Sequence, residues 1–363
     1  MMKSVLALAV LGAISTGAFA QTNNVTIYGI LDEGYVWEGG NTAGNVSKLS
    51  SGVGSGSRLG FKGTEDLGGG LSALFVLENG FQADTGAMGQ NNTLFGRQAF
   101  VGLTSTSAGT VTLGRQYTPE YLVLTAADPF GTGFAGDAKN LFAQTGDAST
   151  RMTNSIKYAS PNFSGFTAEA AYGFGEVGDS TGSLRQYGLA AGYANGPLWA
   201  RVGYHNRSTN TTAAPVVTGN DNAKNTILAA TYDFTVVKAH FAYAWNKGVA
   251  SSPLRNTGNP FGLVPATSAV ASTDSQDLLL GATVPFGPHK ILASYIHKND
   301  KNAANNDADQ YAIGYLYSLS KRTDLYTAYA YIKNKNNASY TVGNAIDSGT
   351  GNKAFNLGIR HLF

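Results

Sequence analysis

The stretch FNLGIRHLF, residues Phe355–Phe363, decides the fold, because its large apolar side chains recur at every second position. One face would carry Phe355, Leu357, Ile359, His361 and Phe363, and the other face would carry Asn356, Gly358 and Arg360. A period of two is the pattern of a β-strand with one apolar and one polar face. The chain therefore ends in a predicted strand that has apolar surroundings on one side only.

The same alternation recurs along the chain, for example in residues 310–317 and 323–332. Read from end to end, it predicts about sixteen strands of roughly 9–12 residues, which is the length of a tilted transmembrane strand. No apolar run after residue 20 approaches the roughly 20 residues of a transmembrane helix. The predicted strand centres are Tyr28, Gly60, Phe75, Phe100, Leu113, Ile156, Ala170, Leu189, Val202, Ala229, Ala242, Leu280, Ala293, Ile313, Tyr329 and Leu357.

The connections between these segments alternate between short and long. The short ones are residues 66–70, 105–109, 161–165, 195–197, 234–235, 285–288 and 318–321. The longer ones include residues 39–56, 117–150, 208–222, 249–272 and 334–352. Short turns at one end and long loops at the other are typical of an outer-membrane β-barrel. Soluble β-sandwiches also alternate strands and turns, but they rarely keep so regular an alternation of loop lengths.

Composition agrees with this fold and excludes several others. The chain has 46 Gly, 19 Tyr and 18 Phe among 363 residues, and only 13% of its residues are charged. It has no cysteine, which excludes disulfides, thiolate metal sites and cysteine nucleophiles. The formal net charge of +2 is spread along the chain, so we expect no nucleic-acid partner.

The N-terminus has the features of a secretory signal peptide. Lys3 precedes a short apolar run at residues 5–14, and Ala18-Phe19-Ala20 fits a cleavage site after Ala20. An N-terminal anchor helix is the alternative, but the run is short and no stop-transfer pattern follows. We predict a signal peptide at residues 1–20 and a single barrel domain at residues 21–363.

Several strings of residues together resemble a known family. They are VTIYG (25–29), SRLGFKGTEDLG (57–68), RQAFVGL (97–103), GTVTLGRQ (109–116), NSIKY (154–158), SPNF (160–163) and the terminal GIRHLF (358–363). In this order they resemble the Gram-negative general porins, nearest to those of β-proteobacteria, over residues 21–363. The resemblance implies a sixteen-stranded antiparallel barrel in the outer membrane, a homotrimer, and a third loop folded into the lumen.

A diffusion channel needs a hole lined by charges rather than a catalyst, so charges that face inward are its candidate functional residues. Leu59 and Phe61 would face lipid, which turns Arg58 and Lys62 toward the lumen by the period of two. A basic side chain facing mid-membrane lipid would cost about 2–4 kcal/mol, which favours the inward orientation. The alternative for each is a solvated charge near a strand end.

Two further strands supply the rest of the predicted basic wall. If Phe100 faces lipid, Arg97 and Ala99 face inward. If Ile156 and Tyr158 face lipid, Arg151, Thr153, Ser155 and Lys157 face inward. Arg58 and Arg97 match the basic cluster on the barrel wall of the general porins, and Arg151 resembles its third member, with the strand register left open. The facing of Arg115 is also left open.

The candidate constriction loop is residues 117–150, and it carries Glu120, Asp128 and Asp137. In the porins that the chain resembles, carboxylates on this loop face the arginines and create a transverse field. Such a field would act across the pore, because the Debye length is about 8 Å at physiological salt. The alternative is that each is an ordinary loop carboxylate. Pro119-Glu120-Tyr121 also departs from the enteric Pro-Glu-Phe-Gly-Gly pattern.

The terminal Phe363 resembles the signal that the outer-membrane assembly machinery reads, and it also fits a last strand that simply faces lipid. The expected partners are therefore this machinery, outer-membrane lipid and lipopolysaccharide, two further copies of the chain, and small hydrophilic solutes and ions. The segment at residues 173–178 reads G-x-G-x-x-G but opens no helix, and the five histidines have no ligand spacing. We expect no metal, cofactor or enzymatic activity.

The sequence thus predicts a general diffusion porin with a weak anion preference, because three arginines meet few nearby acids. A substrate-selective channel of the same fold is one alternative. An outer-membrane enzyme or an adhesin built on the long loops is the other.

Overall fold

A computed structural model describes residues 24–142, 147–210, 222–252, 272–336 and 338–363. The predicted signal peptide lies outside these residues. In the described part of the chain, no helix is both long enough and apolar enough to cross a membrane.

The chain is built almost entirely of strands. They are β1 (Asn24–Gly39), β2 (Val46–Ser51), β3 (Arg58–Gly68), β4 (Leu71–Gly80), β5 (Gln98–Ser105), β6 (Gly109–Tyr117), β7 (Arg151–Ala159), β8 (Phe166–Gly173), β9 (Gln186–Asn195), β10 (Leu198–Ser208), β11 (Asn222–Asp233), β12 (Lys238–Ser252), β13 (Ser272–Phe286), β14 (His289–Asp300), β15 (Ala308–Ser318), β16 (Thr323–Asn334) and β17 (Lys353–Leu362). The helical segments among the described residues are the single turn α1 (Gly89–Asn92), α2 (Pro119–Ala127), α3 (Asp147–Thr150) and a 3₁₀ turn at Ala138–Asn140.

The strands form a closed antiparallel barrel. Each strand from β3 to β17 pairs with the next, and β1 closes the barrel by pairing with β17 from Ile30↔Leu362 to Gly39↔Lys353. β2 and β3 lie one after the other along β1, so together they fill a single position in the wall. The barrel therefore has sixteen strand positions, as predicted, and no open edge.

All sixteen predicted strand centres lie in observed strands. The predicted long loop at residues 39–56 is wrong in one respect, because it contains β2. Its residues pair with β1 from Glu33↔Ser51 to Glu38↔Val46. The chain then leaves the wall at residues 52–57 and returns to it as β3. We call residues 52–57 the inward turn.

The outer surface is apolar, as the alternating pattern predicts. Ile27 is 61% exposed, Ile313 is 59% exposed, and Leu357 is 53% exposed. The short turns lie at the end of the barrel opposite the long loops. In the turn between β3 and β4, Gly68 and Gly69 have φ values of 85° and 61°, a left-handed conformation that favours glycine.

The predicted facing of β5 is wrong. Val101 and Leu103 are 56% and 50% exposed on the outer surface, whereas Phe100 lines a cavity inside the barrel. Ala99 therefore has the outward orientation that we predicted for Phe100. An aromatic residue is accommodated on this inner face because a loop inside the barrel lines the same cavity.

The facing of β7 also changes along the strand. Asn154 has a φ of 51°, and the pairing register with β6 shifts beyond Gly114. This irregularity leaves Thr153 exposed, contrary to the prediction, and Met152 only 1% exposed. β-bulges re-aim side chains in this way.

The buried apolar residues lie inside the barrel rather than between two sheets. They come from the loop between β6 and β7 and from the inner face of the wall it covers, mainly β9 and β11–β16. The barrel thus contains a hydrophobic core on one side of its interior.

Candidate functional site

The third loop, residues 118–150, enters the barrel through a capped helix. The hydroxyl of Thr118 accepts a hydrogen bond from the backbone N–H of Tyr121 at 3.2 Å, and Pro119 occupies the first turn of α2. Both are favourable at a helix start, because they satisfy or remove unpaired N–H groups. The backbone N–H of Thr118 also bonds to the carbonyl of Thr150 at 3.0 Å, which closes the base of the loop. We call this segment loop 3.

Loop 3 lies along a track of glycines on the inner wall. A Cβ atom added to Gly188 would lie 2.8 Å from Pro119 Cδ, and one added to Gly203 would lie 3.0 Å from the Cα of Glu120. A Cβ added to Gly281 would lie 2.4 Å from Pro129, and one added to Gly314 would lie 2.8 Å from Phe130. Glycine is needed because the loop approaches the wall more closely than a side chain allows.

Apolar contacts cover the rest of this interface. Val123, Leu124 and Ala127 of α2 are fully buried, and the buried inner faces of β11–β13 belong to the same cluster through Ile227, Ala229, Ala242 and Leu279. The carbonyl of Ala127 also lies 2.9 Å from Nδ1 of His240 on β12. Burial of this surface drives the loop onto the wall, and the predicted placement of loop 3 in the lumen is confirmed.

The second half of loop 3 is fastened to β13–β16. Asn140 Nδ2 donates to Gln310 Oε1 on β15 at 2.9 Å. Lys298 Nζ on β14 donates to the carbonyl of Leu141 at 2.7 Å and to Asp277 at 2.8 Å. Phe134 packs edge-on against Tyr326 on β16, with 4.9 Å between ring centroids. Loop 3 therefore crosses the interior from β9 to the far side of the barrel.

Two of the three predicted constriction acids hold loop 3 in shape. The carboxylate of Asp128 accepts hydrogen bonds from the backbone N–H groups of Phe130, Thr132 and Ala138 at 2.9–3.0 Å. Its burial, together with the nearby charge of Asp137, raises the pKa of Asp128 to about 7.

Asp137 begins the 3₁₀ turn. Its carboxylate accepts a hydrogen bond from the backbone N–H of Lys139 at 2.8 Å, and its other oxygen lies 3.3 Å from Lys139 Nζ. The side chain of Asp137 is fully buried. Asp137 therefore acts within loop 3 as a capping residue.

The third acid, Glu120, lies at the interface between α2 and the wall. It is 2% exposed, and its Oε2 has no hydrogen-bond partner in the described residues. Burial raises the pKa of Glu120 to about 8, because water no longer solvates the charged form. All three predicted acids of loop 3 are thus almost fully buried, at 0–4% exposed.

The opposite wall carries the predicted basic residues. Arg58 begins β3, and it donates from Nε to the carbonyl of Gly56 at 2.9 Å and from Nη2 to Ser55 Oγ at 2.8 Å. Both acceptors belong to the inward turn. Lys62, four residues further along β3, is exposed, and its Nζ lies 5.2 Å from the centroid of the Tyr28 ring.

Arg97 precedes β5 and is 6% exposed. Its Nε donates to Glu78 Oε1 at 2.8 Å, and its Nη2 donates to the hydroxyl of Tyr117 at 2.6 Å. The hydroxyl of Tyr28 donates to the other oxygen of Glu78 at 3.0 Å. These bonds fix the guanidinium in one orientation, because each of its contacts is directional.

Arg151, the first residue of β7, joins the same group. Its guanidinium lies 4.9 Å from the centroid of the Tyr117 ring, and its Nη2 donates to the Tyr117 hydroxyl at 3.4 Å. Three of the four predicted basic residues, Lys62, Arg97 and Arg151, are thus connected through Tyr28, Glu78 and Tyr117. Arg58 joins them electrostatically, since its charge interacts with Glu78 and Arg97. We call this group, with Arg58, Lys62, Arg97 and Arg151, the basic wall. The Nε of Arg115 donates to the carbonyl of Gly96 at 2.7 Å.

A cavity of about 620 Å³ lies beside the basic wall. Lys62, Thr112 and Lys157 line it from the wall, and Leu122 lines it from loop 3. The cavity is thus bounded by charged, polar and apolar side chains of the wall on one side and by loop 3 on the other. Such an arrangement can conduct ions and small polar solutes and can discriminate between charges.

Sequence reasoning missed two acidic members of this lumen. Glu78 is inward-facing on β4 and could have been found by the period of two. Glu169 on β8 pairs with Lys157 at 2.8 Å and with Arg201 at 3.0 Å. In the described ranges, no group of three histidines or acids could hold a metal ion.

The terminal Phe363 completes the barrel. Its backbone N–H and carbonyl bond to Gly29 on β1 at 3.1 and 3.0 Å. Its ring lies against the same residue, since a Cβ added to Gly29 would lie 2.2 Å from Phe363 Cζ. The last side chain is therefore held at the seam where the first and last strands meet.

Comparison with known proteins agrees with this geometry. A family model described as Gram-negative porin matches residues 7–337. The chain is 34% identical over the full length of both chains to outer membrane porin protein 32 of Delftia acidovorans. It is 31% identical, again over both full lengths, to an outer membrane porin protein of Bordetella pertussis.

A solved structure, described as an anion-selective porin from Comamonas acidovorans, has a TM-score of 0.76 and 30% identity. The alignment covers 94% of this chain and all of that one. With its closed barrel, inward loop and charged lumen, the chain belongs to the Gram-negative porin family and is an integral outer-membrane porin.

Proposed function

We propose that this porin is a homotrimeric general diffusion channel with a weak preference for anions, and that the basic wall produces this preference. The observation that supports it is the basic wall of Arg58, Lys62, Arg97 and Arg151, in which Arg97 bonds to the buried carboxylate of Glu78. The charges act at short range in a narrow passage, so salt screens them only in part. An excess of positive charge there raises the local concentration of anions.

The position of the loop 3 acids supports the same sign of selectivity. Glu120, Asp128 and Asp137 are 2%, 4% and 0% exposed, and the carboxylates of Asp128 and Asp137 are bonded within loop 3 itself, so these acids contribute little direct attraction for cations in the passage. The raised pKa of Glu120 also keeps it largely protonated at neutral pH. The field across the pore therefore comes mainly from the basic wall.

Reversal potentials under a salt gradient in planar bilayers test this proposal. The wild-type channel should prefer anions, and Arg58→Ala with Arg97→Ala should weaken the preference. Lys247→Ala is a matched control, because its side chain is 71% exposed and pairs with Asp274 away from this wall. Cation selectivity that neither arginine variant changes would contradict the proposal.

For the trimer, we place a subunit contact at the outward side of β1. Glu33 lies there between Leu31 and Tyr35, which are 43% and 42% exposed, and its carboxylate oxygens are buried without a hydrogen bond from the described residues. A carboxylate is disfavoured on a lipid-facing wall, so we place a second copy on the exposed apolar side chains beside it. Glu33→Leu should lower the melting temperature of the oligomer in semi-native gels. Lipid contact at Glu33 would instead leave it unchanged or raise it.

Three other features complete the proposal. Mature protein would begin at Gln21, which N-terminal sequencing of membrane-extracted protein would show. The outer-membrane assembly machinery would read Phe363 together with the outward side chains of β17, so deletion of Phe363 should reduce folded protein in the membrane. Lipid and lipopolysaccharide would surround the exposed apolar face.

Passive diffusion requires no catalyst, so we propose no enzymatic activity and no cofactor. A detergent-solubilised lipase or protease assay would test this against the enzyme alternative. A substrate-selective channel of the same fold would differ by showing saturable block of its current by one solute. The ohmic current of a general porin would not saturate in this way.

A further inference from the structure

The outer face of β8–β11 contains a groove of about 540 Å³. Alanines form its floor, because Ala168 of β8 pairs with Ala191 of β9, and Ala200 of β10 lies beside them. Outward positions elsewhere on the wall carry larger side chains, such as Ile313 on β15, which is 59% exposed. A row of small side chains among large ones leaves a concave strip in the outer surface.

Large apolar side chains stand at the edges of the groove. Phe166 and Tyr193, whose ring centroids are 4.5 Å apart, form one edge. Val202 and Leu228, a cross-strand pair that is 44% and 45% exposed, form another. A hydrocarbon chain in the groove would contact protein atoms on more than one side, so it would gain more dispersion contacts than on a flat wall.

The aromatic edge is held in place by the short turns beside it. Phe163, which also lines the groove, exchanges two backbone hydrogen bonds of 2.9 and 3.1 Å with Phe166. Asn195 Nδ2 donates to the hydroxyl of Tyr193 at 2.9 Å, which leaves the hydrogen of that hydroxyl available to a further acceptor. A groove that is already formed binds more tightly, because binding has less to order.

The position of the groove along the barrel indicates which molecule reaches it. The groove adjoins the turns at residues 161–165 and 195–197, and short turns lie at the periplasmic end of an outer-membrane barrel. Phospholipids form the periplasmic leaflet of the outer membrane. A tyrosine at this level is typical of the membrane interface, where its ring contacts acyl chains and its hydroxyl contacts headgroups.

The proposed subunit contact leaves the groove accessible. That contact is placed on β1, whereas β9 and β10 lie half-way round the barrel from β1 in the order of strands. The groove therefore faces lipid in the proposed trimer as well as in a single chain.

We propose that the groove on β8–β11 is a phospholipid-binding site, which holds one acyl chain of a periplasmic-leaflet phospholipid while the hydroxyl of Tyr193 donates to an oxygen of its headgroup region. The inference concerns the outer wall and goes beyond the proposed ion selectivity. Lipid tails are as apolar as the wall, so close packing rather than the hydrophobic effect must hold the chain. A side chain that fills the groove should consequently displace the lipid.

Native mass spectrometry of protein extracted in mild detergent tests the proposal. The wild type should retain one phospholipid per protomer after detergent exchange, and Ala191→Phe should lose it, because the new ring fills the groove. Ala170→Phe is the matched control, since Ala170 is also exposed on the outward face of β8 but does not line the groove. Tyr193→Phe keeps the ring and should weaken retention. Heat-modifiable migration on gels would verify that each variant is folded.

A wild type that retains no phospholipid would overturn the site. So would equal retention by the wild type and by folded Ala191→Phe.

Photo-crosslinking in liposomes gives an independent test in a bilayer. Phosphatidylethanolamine with a diazirine in its acyl chain should label Val202 and Leu228 in preference to Ile313, and Ala191→Phe should remove this preference. Even labelling of the outer wall would mean ordinary contact with bulk lipid and would overturn the proposal. A benzophenone attached to Val202→Cys, in a chain that has no other cysteine, would capture a neighbouring subunit if a second copy filled the groove. That result would also overturn the lipid site.

Discussion

The two halves of the barrel's inner wall have opposite chemistry, although they are built from the same kind of strand. Under loop 3, the inward side chains of β11–β13 are small or apolar and fully buried, as in Ala229, Ala242 and Leu279. On β3, the inward side chains Lys62 and Thr64 are exposed and polar. One half resembles the core of a soluble protein, and the other half is the lining of a channel.

This difference shows that contact with water, rather than the inner or outer side of the barrel, decides which residues a strand uses. The alternation of polar and apolar residues in a membrane barrel assumes a wet lumen. Where loop 3 excludes water, the strand becomes apolar on both faces, as in Ile227-Leu228-Ala229 on β11. Such a run is typical of a strand that is buried on both sides.

The largest effect should come from blocking the glycine track. Gly281→Val would place a side chain where a Cβ already lies 2.4 Å from Pro129, and overpacking of this kind costs about 1–3 kcal/mol. We expect loop 3 to leave the wall, which would raise single-channel conductance about twofold or more and weaken size exclusion. Planar bilayer recording and liposome swelling would measure both.

Gly182→Val is the control, because a Cβ at Gly182 meets no atom within 4 Å. It should conduct like the wild type. If Gly281→Val folds and keeps wild-type conductance, the closeness of loop 3 to the wall does not set the width of the pore.

The next largest effect should follow from Asp128→Ala. The change removes an acceptor for three backbone N–H groups, which should destabilise the fold of loop 3 by about 3 kcal/mol. Current noise should increase and conductance should vary between openings. Asp66→Ala, which removes one exposed hydrogen bond from the backbone N–H of Gly68, should leave current noise and conductance unchanged. Quiet channels from folded Asp128→Ala protein would contradict the structural role of this carboxylate.

The sequence was sufficient for the barrel because the period of two is a local signal. Each strand centre could be read from its own neighbours, and Leu59 with Phe61 turned Arg58 and Lys62 inward correctly. The facing of Phe100 was wrong because its exposure depends on loop 3, which is distant in sequence. β2 was missed because the inward turn interrupts a strand position in the wall.

The acids of loop 3 show a second limit of prediction from neighbouring residues in the sequence. Nothing next to Asp128 in sequence indicates that its carboxylate would bond to N–H groups as far along as Ala138. Glu78 is different, because a charge that faces lipid is costly on a membrane barrel. Its charge alone could have predicted its inward facing, although its contact with Arg97 requires the closed barrel.

A smaller effect is expected from Glu78→Gln, which tests the half of the inner wall that lines the channel. The change removes the negative charge that bonds to Arg97 at 2.8 Å, so the basic wall becomes more positive. Anion preference should increase, by about twofold in the permeability ratio, because a charge within a Debye length of the passage is only partly screened. Reversal potentials measure this ratio, and the variant Glu65→Gln, at an exposed position near the end of β3, should not change it. A shift toward cations would contradict the assignment of selectivity to this wall.

The smallest effect concerns the half of the inner wall that lies under loop 3, where the docking of loop 3 should depend on pH. Burial raises the pKa of Glu120 from its usual value of 4.5 to about 8. Between pH 4.5 and about pH 8, Glu120 is protonated when loop 3 is docked on the wall and ionised when loop 3 is undocked. Docking is therefore fully favoured below pH 4.5, and it loses up to about 1.4 kcal/mol per pH unit as the pH rises toward 8.

Channel closures and current noise should consequently increase as the pH rises from about 5 to about 8, and Glu120→Gln should remove most of this increase, since an amide cannot ionise. A residual change that levels off near pH 7 should remain, because the pKa of Asp128 is raised to about 7 by the same burial and has the same sign. Recording both proteins across this pH range would separate the two acids. Equal pH dependence in the wild type and in Glu120→Gln would show that the buried carboxyl does not influence how loop 3 is held.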